Sequence, residues 1–322
     1  MHSAIDREDR WSSRTRLVLL MAAAGGGLAA CHPEHAVAKR LDAACNAGSA
    51  VACDSLGRRI QHGEYVLRDE GRAASLFERA CTAGVGESCA SLGAMLHRGF
   101  ADVEADSARA LALFREACDR QAMDGCTSLG VLYKEGAGVG TDVVRAAGLF
   151  RTACDGGQTT ACAHLGTLHA SGDGVPHDAV RAAALFDRAC GDSVPLGCVG
   201  LGRLHAAGTG VSRNDSLATR LFEQACDEDE PEGCLELAIS HETGRGIPQD
   251  YERAGDLYRD VCEGDIAVAC ARLADLHDKG AGVFRDEKVA ARLRQKACAL
   301  GHAESCARPD PAAPAAPKAA AT

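Results

Sequence analysis

The sequence predicts an all-α fold, an α-solenoid of about seven helix-pair repeats of 36 residues stapled by disulfides. Three observations lead there. Sixteen of the 17 cysteines fall into C-x7-C pairs whose first members recur every 36 residues, with one step of 37 between Cys81 and Cys118; a period of this size belongs to helical repeat arrays. Only 4% of residues are aromatic against 46% hydrophobic, so the core rests mainly on Ala and Leu, which suits close-packed helices better than a sandwich or barrel. Each period also carries helix stop and start signals at fixed places. The net charge of −10 and a pI near 5.6 argue against a nucleic-acid partner.

Arg7, Arg10, Arg14 and Arg16 precede the uncharged run Leu17 to Ala30, which at 14 residues is too short to cross a bilayer and has the layout of a secretory signal. Its end, Leu28-Ala29-Ala30-Cys31, resembles the bacterial lipobox. That resemblance implies a signal peptide over residues 1–30, lipid on Cys31, a short lipidated segment over 31–35, and a mature chain tethered to a membrane without crossing it. His32, in place of an Asp, leans towards the outer membrane, facing the periplasm or the cell surface.

Within each repeat the second cysteine is followed three residues on by Leu (Leu92, Leu129, Leu165, Leu201) and then by a small residue (Gly93, Gly130, Gly166, Gly202), placing a helix there that a neighbour can approach closely. G-x-G-[VI] segments follow at Gly136–Val139, Gly172–Val175, Gly208–Val211, Gly244–Ile247 and Gly280–Val283; paired glycines end helices in left-handed conformations. Asp142, Asp178, Asn214, Asp250 and Asp286 then stand where an N-cap would open a second helix. That helix carries an aromatic four residues before the next cysteine (Phe77, Phe114, Phe150, Phe186, Phe222, Tyr258). In one continuous helix the two cysteines of C-x7-C would be about 12 Å apart, beyond the roughly 7 Å a disulfide allows between Cα atoms. The chain must turn between them, as Asp155-Gly156-Gly157, Gly191-Asp192-Ser193 and Asp229-Glu230-Pro231 are able to do. The expected pairs are Cys45–Cys53, Cys81–Cys89, Cys118–Cys126, Cys154–Cys162, Cys190–Cys198, Cys226–Cys234, Cys262–Cys270 and Cys298–Cys306, each joining the end of one helix to the start of the next.

Units running L-G-x-L-[YH]-x-x-G-x-G-V-x-x-D and ending L-F-x-x-A-C resemble Sel-one-like repeats, relatives of the tetratricopeptide repeat. The recurring C-x7-C is similar to the secreted Helicobacter cysteine-rich proteins. The resemblance implies a right-handed solenoid over residues 36–307, with a lone leading helix near Ala36–Cys45 and helix pairs at about 50–83, 86–120, 122–156, 158–192, 194–228, 230–264 and 266–299. The first two units, at His62-Gly63-Glu64-Tyr65-Val66 and Arg98-Gly99-Phe100-Ala101-Asp102, lack the double-glycine loop. In the last, Arg294 replaces the aromatic, as expected where an outer face meets solvent. Residues 308–322 form a Pro/Ala tail without a periodic apolar face, expected to be disordered.

The cysteine-rich family is described as penicillin-binding, with weak β-lactamase activity attributed to some members. No Ser-x-x-Lys, His-x-His or His-Glu-x-x-His occurs, so no catalytic residue is assigned. No C-x-x-C occurs either, which argues for structural disulfides over metal or redox use, and neither metal nor cofactor is expected. Tyr133, His169, His205, His241 and His277 all lie seven residues after a second cysteine and would align as a ladder. They are a candidate ligand stripe, although in the repeat family this place commonly holds a ring packed between helices. The reading is a monomeric, non-catalytic scaffold that binds an envelope protein, peptide or peptidoglycan fragment. The alternatives are slow β-lactam hydrolysis and, by analogy with a mitochondrial assembly factor built from similar repeats, haem or metal handling.

Overall fold

The structure, a computed structural model, describes residues 33–64, 66–100 and 102–307. The signal segment 1–30, Cys31 and the tail 308–322 lie outside the described residues, as does the 31–35 segment apart from the backbone of 33–35. Sixteen helices are present among the described residues and no strand, only an isolated bridge between Phe100 and Val103. They divide between two compact bodies that part after Ser128.

The N-terminal body holds α1 (Pro33–Asn46), α2 (Ala50–His62), α3 (Glu70–Thr82), α4 (Gly86–Arg98) and α5 (Ser107–Asp119); the boundary falls inside α6 (Met123–Glu135). The C-terminal body continues with α7 (Val143–Asp155), α8 (Thr159–Ser171), α9 (Ala179–Gly191), α10 (Pro195–Ala207), α11 (Asp215–Asp227), α12 (Pro231–Thr243), α13 (Tyr251–Glu263), α14 (Ala267–Lys279), α15 (Glu287–Ala299) and the short α16 (Ala303–Ala307). Within each body every helix packs on its sequence neighbours.

The predicted signals act where they stand. Asp142, Asp178, Asn214, Asp250 and Asp286 accept a hydrogen bond from the backbone N–H three residues on at 2.9–3.0 Å, satisfying a donor that the first helical turn would leave orphaned. Asp69 and Asp106 do the same for α3 and α5, so the first two repeats keep the cap although they lack the double glycine. The aromatic column is buried, with Phe77, Phe114, Phe150, Phe186, Phe222 and Tyr258 at most 3% exposed. Small residues seat these rings. A Cβ on Gly57, Gly93, Gly130, Gly166 or Gly202 would stand 2.5–2.9 Å from the Phe it faces.

The G-x-G loop does two jobs. Its first glycine ends the helix at φ of 66–82°, a left-handed conformation that costs other residues about 1–2 kcal/mol. Its second lets the loop lie on the preceding repeat: a Cβ at Gly174, Gly210, Gly246 or Gly282 would meet the first residue of the previous second helix, Val143, Ala179, Asp215 or Tyr251, at 2.1–2.7 Å.

Arg294 corrects the sequence reading. Its side chain is only 11% exposed and pairs with Asp278 of α14, because a carboxylate sixteen residues upstream gives the guanidinium a partner.

Candidate functional site

All eight expected cysteine pairs are at bonding distance, with Cα atoms 4.5–4.8 Å apart. The chain turns between them through a left-handed residue three places after the first cysteine: Gly48, Gly84, Gly157 and Gly301 in four turns, Gln121, Ser193, Asp229 and Asp265 in the others. Each pair therefore joins the last turn of one helix to the first turn of the next. The cysteines are not gathered as metal ligands. The group of ligand-type atoms within 4.8 Å of one another among the described residues is Cys81, Cys89 and Glu116, and its two sulfurs are bonded to each other.

The ladder residues sit at the ends of α6, α8, α10, α12 and α14, and all five hold the end of the loop that follows through their backbone. The carbonyl of each accepts the N–H of the N-cap residue nine positions on, at 2.8–3.1 Å, from Tyr133 with Asp142 to His277 with Asp286. Three rings add a second contact. The Nδ1–H of His169, His205 and His277 donates to the carbonyl of Pro176, Ser212 and Phe284 at 3.2, 3.0 and 2.9 Å; a carbonyl can only accept, so these rings are protonated on Nδ1. Tyr133 instead lies under the Arg145 guanidinium, 4.7 Å from the ring centroid. His241 departs from the set. Its Nδ1 is buried without a hydrogen-bond partner among the described residues, and burial holds the ring below the ordinary histidine range. The ladder is thus a row of loop straps, and no ladder imidazole belongs to a cluster of three ligand-type atoms among the described residues.

Two features escaped the sequence reading. His164 stacks on Phe150 with ring centroids 5.0 Å apart, and burial, helped by the Lys134 charge, lowers its pKa to about 4. The second is a polar cluster about Tyr258, the one tyrosine in the aromatic column. Its hydroxyl donates to Glu242 Oε2 at 2.6 Å, and Arg272 donates to the same oxygen at 3.2 Å. Burial, then the bonded carboxylate, pushes the Tyr258 phenol well above its usual range. Columns compared sixteen residues apart would have revealed this cluster, since Glu242 with Tyr258 and Asp278 with Arg294 obey one register.

A cavity of about 730 Å³ lies in the N-terminal body against the irregular loop before α5, beside Glu78, Asp102, Glu104 and Asp106. Asp106 caps α5 and Glu78 pairs with Arg109.

The Sel1 repeat family matches residues 50–85, 86–121, 124–158, 159–191, 195–230, 231–259 and 267–302. The chain belongs to the Sel1-repeat family. Among solved structures, this Sel1-repeat chain is similar to a protective antigen of uropathogenic Escherichia coli strains displaying an SLR fold, at 26% identity and a TM-score of 0.63 over 83% of this chain and 57% of the antigen. It therefore spans little more than half the length of that antigen. A Sel1 repeat protein from Oxalobacter formigenes, 21% identical, shares the fold at a TM-score of 0.60 over 84% of this chain and 78% of its own. No curated protein matches the chain.

Proposed function

We propose that this Sel1-repeat chain is a non-catalytic binding scaffold of the cell envelope, holding an envelope protein, peptide or peptidoglycan fragment on its repeated helix faces. The observation that carries this reading is the use of the ladder. The imidazoles best suited to acid–base or ligand chemistry are tied to loop carbonyls, and the aspartates beside them cap helices. What the repeats leave free is surface, which is what repeat arrays use for recognition. Eight cysteine pairs at bonding distance suit an oxidising compartment. The leader and its Leu28–Cys31 end support export and a lipid tether, with the membrane touched through the acyl chains.

In-cell cross-linking followed by capture of the chain is expected to yield a defined envelope partner. Cys31→Ser is expected to move the protein from the membrane fraction to the soluble one. Incubation with a chromogenic cephalosporin is expected to give no hydrolysis above the protein-free rate; turnover that a substitution on the helix faces abolishes would overturn the scaffold in favour of a β-lactam hydrolase.

A further inference from the structure

We infer that the outward faces of α7 and α9 form a docking surface for a carboxylate-bearing face of a protein partner. This rests on the scaffold reading and names the partner's chemistry. The two faces expose Arg145, Arg151, Arg181 and Arg188 around Val144 and Val180, the valines 69% and 67% exposed. On the two helices themselves these four arginines stand against Asp155 and Asp187, while the cap carboxylates Asp142 and Asp178 are taken up by the backbone N–H groups of Arg145 and Arg181, in a chain whose net charge is −10.

The repeat register shows that the charge is not a by-product of the fold. In the N-terminal body the third residue of a second helix meets the residue three places before the first cysteine of the preceding repeat, as an ion pair: Arg72 with Asp42 at 2.8 Å, and Arg109 with Glu78. Where α9 follows α7 in the C-terminal body, the same two places hold Arg181 and Arg151. A carboxylate has become a second guanidinium, and neither side chain has an ion pair or hydrogen bond among the described residues. An anion supplied from outside would restore the pairing. The flanking arginines are already placed, Arg145 over the Tyr133 ring and Arg188 with Nη1 3.8 Å from Cys154 Sγ. Gly148, whose Cβ would meet nothing within 4 Å, and the exposed Ala184 keep the ground between them low.

The residue types select a protein over a lipid surface. All four cations are arginine, whose planar fork matches a carboxylate in a bidentate way, and arginine is enriched over lysine at protein interfaces. Helices that lie on membranes carry Trp, Phe or Leu on their apolar side, whereas this surface offers two valines.

The test is fluorescence anisotropy of labelled poly-L-glutamate with the mature, disulfide-bonded protein, beside sedimentation with phosphatidylglycerol vesicles. Wild type is expected to bind poly-L-glutamate with an affinity that falls as salt rises, and Arg151→Gln/Arg181→Gln to bind about tenfold more weakly or worse, with unchanged circular dichroism. Arg151→Lys/Arg181→Lys is expected to recover only part of the loss, because the charge returns without the fork. The proposal is overturned if wild type does not bind, if the Gln variant binds as wild type does, or if Arg220→Gln/Arg292→Gln, on other second helices, loses as much. Tighter binding to vesicles, with the Lys variant equal to wild type, would give the face to anionic lipid and overturn it too. Undiminished capture of the envelope partner by the Gln variant would remove this surface and leave the scaffold standing. Failure of wild type to capture any partner, with poly-L-glutamate still bound here, would leave the surface and remove the envelope target.

Discussion

Gln121, Ser193, Asp229 and Asp265 hold φ between 57° and 64°, where the other four staple turns use glycine. A side chain with a Cβ is strained there, Asp less so because it bonds locally. Gln121→Gly and Ser193→Gly are each expected to raise unfolding free energy by about 0.5–1 kcal/mol, the relieved strain exceeding the added freedom of the unfolded chain; urea titration of the oxidised protein measures this. His164 gives a pH dependence. Its folded pKa, about 4, lies below the unfolded value of 6.5, so the native state favours the neutral ring. That contribution is complete above the unfolded value and is lost as pH falls from 6.5 towards 4, by at most about 1.4 kcal/mol per unit. His164→Gln is expected to flatten the stability profile in that window; a profile as steep as that of wild type would refute the assignment. The ladder's position was legible from cysteine spacing alone. Its use was not, because the partner of each imidazole is a loop carbonyl, and carbonyls leave no mark in a sequence.

Among the elements, caps and breakers were the most legible part, since Asp or Asn opens the second helix and glycine closes the first in repeat after repeat. Asp178→Ala should therefore cost about 1 kcal/mol, readable as a lower midpoint in denaturant. Gly202→Ala should cost about 1–3 kcal/mol, because the new methyl would stand 2.5 Å from Phe222 Cε1 and the ring is enclosed. The equivalent Ala238 is native, beneath Tyr258, so the penalty belongs to the local fit rather than to the helix. Arg294 was misread for a related reason: one column was considered without the column sixteen residues earlier, where Asp278 waits to pair with it. Tyr258 and Glu242 were missed in the same way.

For the molecule as a whole, the period and its cysteines made the fold readable in the sequence. The staples are short-range, each closing eight residues of sequence, so one bridge is worth about 2.5 kcal/mol through the unfolded chain. Cys190→Ala/Cys198→Ala is expected to lower stability by about that amount and to leave helicity unchanged; collapse of the circular dichroism signal would show instead that the bridge is needed to form α9 and α10. The binding target was not legible, because recognition by a repeat surface rests on exposed residues that vary between repeats while the periodic ones hold the fold. Arg151 drew notice only when set against Asp42 and Glu78 in the same register.

The seating of Gly174 on Val143, Gly210 on Ala179, Gly246 on Asp215 and Gly282 on Tyr251 points one way along the chain. Each loop needs a helix start made before it, and none of these contacts reaches forward. A polypeptide emerging N-terminus first would thus find every berth already built, growing like masonry laid in courses. It could be shortened from its C-terminus one course at a time, whereas removing an interior span that is not a whole number of 36-residue periods would leave a loop with no ledge to rest on.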